Sequence, residues 1–144
     1  MLEGLGGISI GKKASLTRTI TAQDVVEFSR ISGDHNPLHL DGDYASKTRF
    51  GARVAHGALS IALISAVIGT KMVGHDATPV YLGQNIRFLK PVFLGDTVTV
   101  ECEVTKIRAD KSIVTLACRC TDQKGEELLS GEATILLDPM PFTS

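Results

Sequence analysis

The stretch His56–Thr70, HGALSIALISAVIGT, contains no Asp, Glu, Lys or Arg and is apolar on nearly every side of a helix. It falls short of the roughly 20 residues that span a bilayer. A helix hydrophobic all round must then be surrounded by protein, so this segment predicts a buried central helix with glycines near both ends. The C-terminal half of the chain supplies the cover. PVYLGQNIRFLKPV alternates through Val80, Leu82, Ile86 and Phe88, and DTVTVECEVTKI through Val98, Val100, Cys102 and Val104. SIVTLACRC alternates through Val114, Leu116, Cys118 and Cys120, and ELLSGEATILL reads as a last strand. Period-2 strands joined by short polar turns such as RADKS and DQKGE argue antiparallel pairing. The expected class is α+β, an antiparallel sheet wrapped around one long buried helix.

Upstream, KKASLTRTI reads as a first strand. TAQDVVEFSRISG reads as a helix that opens on a capping box, Thr21 with Asp24, and stops at Gly33. Val25, Phe28 and Ile31 would give it an apolar face, and DGDYASKTRFG a further helical turn. No repeat, linker or boundary interrupts the 144 residues, so a single domain over 1–144 is expected.

Charge and cysteines narrow the function classes. Fifteen basic against sixteen acidic side chains leave no nucleic-acid footprint and no polybasic membrane patch. Cys102, Cys118 and Cys120 are odd in number, lack C-x-x-C spacing and fall in strands. They read as buried free thiols, which fits a reducing, cytoplasmic compartment. A basic stretch leading into an apolar one is missing at the N-terminus, so no secretory signal is expected.

Chemistry concentrates in SGDHNPLHLD, Ser32–Asp41. Asx-rich turns are common, so a plain helix-terminating loop is one reading. A metal site is a second, but His35 and His39 would face each other only on a helix, which Pro37 opposes. The third is an acid–base pair. Asp34 and His39 flank a tight Asn-Pro turn, and a water between carboxylate and imidazole can be oriented by one and deprotonated by the other. Histidine suits the task because its unperturbed pKa, about 6.5, lies near working pH. Gly57, just inside the buried helix, could offer an unobstructed N–H to a developing oxyanion, or serve only close packing.

Together SGDHNPLHLD, FGARVAHGALSIALISAVIGT and YLGQNIRFLKPVFLGDTV resemble the (R)-specific enoyl-CoA hydratases of the MaoC-like group in the hotdog superfamily. The resemblance runs from about Phe28 to Val104. It implies a hotdog fold and reversible hydration of trans-2-enoyl thioesters to (R)-3-hydroxyacyl thioesters, without metal or redox cofactor. It makes Asp34 and His39 the pair that activates water and puts the thioester carbonyl on the Gly57 N–H. Asn36 would shape the loop and bond within the site. Phe88 would lie near the acyl thioester, and Ser65 would support the catalytic groups by hydrogen bonding. The implied partners are an acyl-CoA or acyl-carrier-protein thioester and a second copy of the chain, as a homodimer or larger homo-oligomer. Lys71, Arg87 and Lys90 are candidates to meet the carrier's phosphates. Dehydration of carrier-protein substrates and a non-catalytic acyl-thioester-binding domain are the competing functions. One departure stands out: relatives often carry proline where this chain has Arg53, ahead of Val54-Ala55-His56-Gly57. Surface exposure, substrate phosphate and a partner subunit are all open for that arginine. His56 reads as structural, and His35 and His75 as surface groups.

Overall fold

The alternating residues of β3 (Thr97–Arg108) and β4 (Ile113–Thr121) decide the core. Val98, Val100, Cys102 and Val104 on one strand, and Val114, Leu116, Cys118 and Cys120 on the next, are all buried. The computed structural model describes residues 5–143. In it β1 (Lys13–Thr19), β3, β4, β5 (Glu127–Pro139) and β2 (Ala77–Phe88) form one sheet in the order β1-β3-β4-β5-β2, with all four pairings antiparallel. The expected α+β class and the hotdog arrangement hold, with a helix, α4 (Gly57–Val67), packed on the inner face of the sheet against β3 and β1.

Within one chain, burial of α4 is one-sided. Ser60, Ile64 and Val67 point into the core, continued by Ile68 and Met72 in a π turn (Ile68–Met72). Ala58, Ala62, Ser65 and Gly69 recur at helical spacing on the opposite side and are exposed. A single sheet in one chain has only one inner face, so an all-apolar helix laid on it keeps an uncovered flank.

β2 also departs from its sequence pattern. Val80 and Leu82 are 41% and 51% exposed whereas Ile86 is half-buried, and Phe88 at the end of the strand is 55% exposed. A bulge shifts the register between Tyr81 and Gly83. The extra residue reverses which parity faces inward: Tyr81 stands opposite the buried Ile135, whereas beyond the bulge Phe88 stands opposite the buried Leu129. β2 is moreover an edge strand, with one side of its backbone unpaired in the sheet.

The remaining elements position the polar loop. α1 (Ala22–Ser32) starts at Thr21, whose Oγ1 accepts from the Asp24 N–H while the Asp24 carboxylate accepts from the Thr21 N–H, each at 3.0 Å. Arg18 donates to the same carboxylate at 2.6 Å, and that hydrogen bond leads in holding the Asp24 carboxyl below its usual range. The helix ends at Gly33, whose φ of 79° is left-handed and suits glycine. Its inward face is Val25, Phe28 and Ser29, while Ile31 is exposed, so the expected apolar stripe contains a buried serine instead. Two short helices, α2 (Pro37–Leu40) and α3 (Gly42–Ser46), come next before the chain enters α4.

Candidate active site

The loop folds through local hydrogen bonds from its own side chains. The Asp34 N–H donates to Ser32 Oγ, the Asn36 N–H to Asp34 Oδ1, and the Leu38 N–H to Asn36 Oδ1. Asn36 thus caps α2, with Pro37 at the first helical position where its missing N–H costs nothing. One turn of α2 is enough to carry His39 inward: it is buried, whereas Asp34, His35 and Asn36 are exposed.

His39 is fixed from two directions. Its Nδ1 lies 2.6 Å from the Val54 carbonyl oxygen. A carbonyl only accepts, so the hydrogen is on Nδ1 and Nε2 presents a lone pair. Arg53 Nε donates to the His39 carbonyl oxygen at 2.7 Å. That contact answers where Arg53 goes: it is half-buried and folds back on the polar loop instead of standing free at the surface. The segment carrying both is anchored in turn by the Val54–Phe93 bridge and by Ala55 N–H donating to the Val92 carbonyl at 2.8 Å.

An oxygen of Asp34 and a ring nitrogen each of His39 and His56 lie within 4.8 Å of one another. A water bonded at about 2.8 Å to both Asp34 and His39 fits such a span. The same three groups are a formal donor set for a cation. The His39 and His56 rings, however, are stacked, centroids 3.9 Å apart and planes 31° from parallel. Nitrogen lone pairs lie in the ring planes, so stacked rings direct them side by side and do not converge them on one ion.

Next to this cluster opens a cavity of 550 Å³, walled by Leu38, Phe50, His56, Gly57, Phe88 and Leu129 among others. Its size is that of a small-molecule pocket and most of its wall is apolar. Gly57 is the first residue of α4, and no hydrogen bond occupies its N–H among the described residues, as expected for the first turn of a helix. The Phe88 ring lies over it, its edge 3.0 Å from where a Cβ at position 57 would stand. Glycine here keeps the N–H open beside an aromatic wall.

The structure therefore brings Asp34 and His39 together beside His56, and Gly57 and Phe88 together in the cavity wall that His56 also lines, while Asn36 shapes the loop and lines neither. Ser65 is not among them. It is exposed on the outer flank of α4, eight residues and so about 12 Å along the axis from Gly57, and makes no side-chain bond to Asp34 or His39 among the described residues. Direct support from Ser65 within one chain does not hold. Lys90 borders the cavity but pairs with Glu126 at 3.1 Å, and Lys71 and Arg87 are exposed. His56, read from the sequence as structural, is instead a member of both the polar cluster and the cavity wall. Its position directly before Gly57 was the available signal.

Known proteins share this arrangement's sequence and fold. The family model described as "MaoC like domain" matches residues 8–122. The chain is 42% identical over 130 residues to the (R)-specific enoyl-CoA hydratase of Aeromonas caviae, covering 90% of this chain and 96% of that protein. It is also 42% identical over 130 residues to the (R)-specific enoyl-CoA hydratase of Rhodospirillum rubrum, covering 90% of this chain and 88% of the relative. Among solved structures, the unliganded R-hydratase of Pseudomonas aeruginosa superposes with a TM-score of 0.82 at 45% identity, covering 90% of this chain and 81% of that one. A match that takes in the polar loop, the start of α4 and strands β1 to β4, on a shared fold, makes this chain a member of the MaoC-like domain family.

Proposed function

We propose that this protein catalyses the reversible (R)-specific hydration of trans-2-enoyl-CoA to (R)-3-hydroxyacyl-CoA. The observation that carries the reading is the Asp34–His39 pair, with atoms within 4.8 Å, in the same region as the unoccupied Gly57 N–H. The relatives named above are hydratases of this kind.

In this reading a water held by Asp34 gives a proton to His39 Nε2 as its oxygen bonds to C3 of the enoyl thioester. The C2–C3 π electrons move toward the carbonyl, whose oxygen becomes negative and rests on the Gly57 N–H. Such donors act where charge develops, and losing one commonly costs about 10²–10³ in turnover. The proton taken from water is then returned to C2 and the carbonyl re-forms, so H and OH are added across one bond with no other reactant. The Asn36 cap holds the turn that sets Asp34 against His39, and Phe88 packs beside the thioester. Neither step calls for a metal or redox group.

The functional unit in this reading is a homodimer or larger assembly. An uncovered flank of α4 and an edge strand with exposed Val80 and Leu82 are surfaces that a second copy would cover. Ser65 enters the site only through such pairing. A reducing cytoplasmic setting agrees with three free buried cysteines, and no helix among the described residues is long and apolar enough to cross a membrane.

The experiment is ultraviolet loss of crotonyl-CoA conjugation, with chiral analysis of the product and Asp34→Asn alongside. Rapid loss giving the (R)-alcohol, reduced by at least about a hundredfold in the variant, is expected. No loss with crotonyl-CoA or longer enoyl-CoAs would overturn the CoA reading in favour of a carrier-protein substrate or of thioester binding alone.

A further inference from the structure

We propose that His56 is a positioning residue that locks the water-activating loop to the oxyanion end of α4; the inference rests on the hydratase reading above. His56 is 2% exposed, and its Nε2 lies 3.1 Å from the Asp34 backbone carbonyl oxygen and 3.1 Å from Ser29 Oγ. The carbonyl only accepts, so the hydrogen sits on Nε2. One N–H therefore ties the residue that holds the water to the last turns of α1 and to the residue preceding Gly57.

The ring contributes as well. One face stacks on His39 at 3.9 Å between centroids, and Phe28 packs against it at 4.9 Å. Three groups assigned to the reaction, Asp34, His39 and Gly57, thus each touch or adjoin this one imidazole. They arise on separate elements: Asp34 on the loop after α1, His39 on α2 and Gly57 on α4. Without a common anchor, errors in the three placements would be independent.

Packing alone does not account for a histidine here. His56 is the N-cap of α4, yet its side chain makes no capping hydrogen bond. Its Nδ1 is buried with no hydrogen-bond partner among the described residues, and stranding such an atom is unfavourable. A phenyl ring would fill the same space without that penalty. What phenyl cannot supply is the Nε2–H to Asp34. The position therefore carries a polar cost at one ring nitrogen for a bond made by the other.

The consequence is for turnover more than for substrate capture. A displacement of about 1 Å at a reacting group can cost on the order of a hundredfold, whereas the apolar cavity wall would be little changed. His56→Phe is expected to lower kcat by about ten- to a hundredfold and to change KM by less than about threefold. His56→Gln, whose amide nitrogen can approach the Nε2 position, should recover part of kcat despite poorer ring packing. Purely structural function ranks the two in the opposite order, with Phe the better substitute.

The experiment is steady-state hydration of crotonyl-CoA by wild type, His56→Phe, His56→Gln and Asp34→Asn, with thermal unfolding of each. Long-range proton–nitrogen spectra of the wild type add a readout independent of activity. Turnover ordered wild type, Gln, Phe, with His56 in the Nε2–H tautomer, supports the proposal. Phe within about twofold of wild type while Asp34→Asn is inactive, or an Nδ1–H tautomer, overturns it and leaves the hydratase reading standing. Wild type and Asp34→Asn alike in failing to hydrate enoyl-CoA would overturn both.

Discussion

Asp34, His39 and His56 stand on loops and helix ends, while Cys102, Cys118 and Cys120 stand on β3 and β4. Both groups crowd reactive side chains together, and they are treated in opposite ways. The thiols face each other across the strands: Cys102 pairs with Cys118 in register, their sulfurs 3.8 Å apart, and Cys118 reaches the Leu116 carbonyl. The hydrogen bond to Cys118, together with burial, pushes the Cys102 thiol up, and burial pushes Cys120 up to about 11. The same hydrogen bond holds Cys118 below its usual range, so Cys102 and Cys120 are the two that burial keeps as thiols, and all three pack as core. In the polar cluster the backbone takes up one atom of each ring, Val54 O for His39 and Asp34 O for His56. The Asn36 N–H takes up Asp34 Oδ1 as well, which leaves His39 Nε2 and Asp34 Oδ2 without a partner among the described residues. Density of titratable groups thus says little by itself. Which atoms the backbone has already claimed says more.

That contrast can be broken in graded ways. The largest effect is expected at the cluster: His39→Gln should lower turnover at least about a hundredfold while the circular dichroism spectrum and unfolding midpoint stay near wild type. A variant that unfolds as well would merge the two regions into one structural role. Cys102→Ser should do the reverse. It places a hydroxyl among apolar neighbours and should cost about 1–3 kcal/mol in urea unfolding with turnover per folded molecule unchanged.

Arg53→Met sharpens the comparison, since it keeps an apolar stem and removes the bond to the His39 carbonyl. A net hydrogen bond of about 1 kcal/mol predicts stability lower by about that amount, and a loosened His39 predicts a kcat lower by up to about tenfold. Kinetics that match wild type would mean that Val54 alone fixes His39.

The smallest and most gradual effect should come with alkali. Burial raises Tyr81 from 10.0 to about 12, with Cys118 and Cys102 nearby adding to it, and burial with Asp122 nearby raises Cys120 from 9.0 to about 11. The folded chain keeps protons that the unfolded chain releases, so stability has a negative slope with pH in this range. It should be fully present below about pH 9 and fall as pH rises through about 11 and 12. Tyr81 is only half-buried, so solvent screening keeps its share modest. Urea midpoints across that window, for wild type and Cys120→Ala, test the sign: a midpoint that rises with pH would contradict it.

Much of the molecule was legible because it is local. The Thr21–Asp24 box, the stop at Gly33 and the alternation of β3 and β4 depend on residues a few positions apart, and so does the Asn36–Pro37 turn. Asp34, His39 and Gly57 stood out as residue types that water-activating chemistry would need together. What escaped depends on distant partners. The open flank of α4 comes from having one sheet and one face to lay it on. His56 was passed over because its key contact is with a backbone carbonyl twenty-two residues away, and a carbonyl leaves no mark in a sequence. Ser65 shows the converse: its position along the chain suggested the site, but within one chain its side of the helix faces away from Asp34 and His39.

The bulge in β2 has a consequence for how such a chain can change over generations. On either side of Leu82, odd and even positions exchange roles, and Phe88 looks onto Gly57 because of that single uncompensated count. Losing one residue there would be invisible to composition and hydropathy alike, yet it would turn the cavity's aromatic wall to the other side of the sheet. Point substitutions along β2 are therefore gentle experiments for evolution, whereas a one-codon insertion or deletion rewrites which half of the strand the substrate meets.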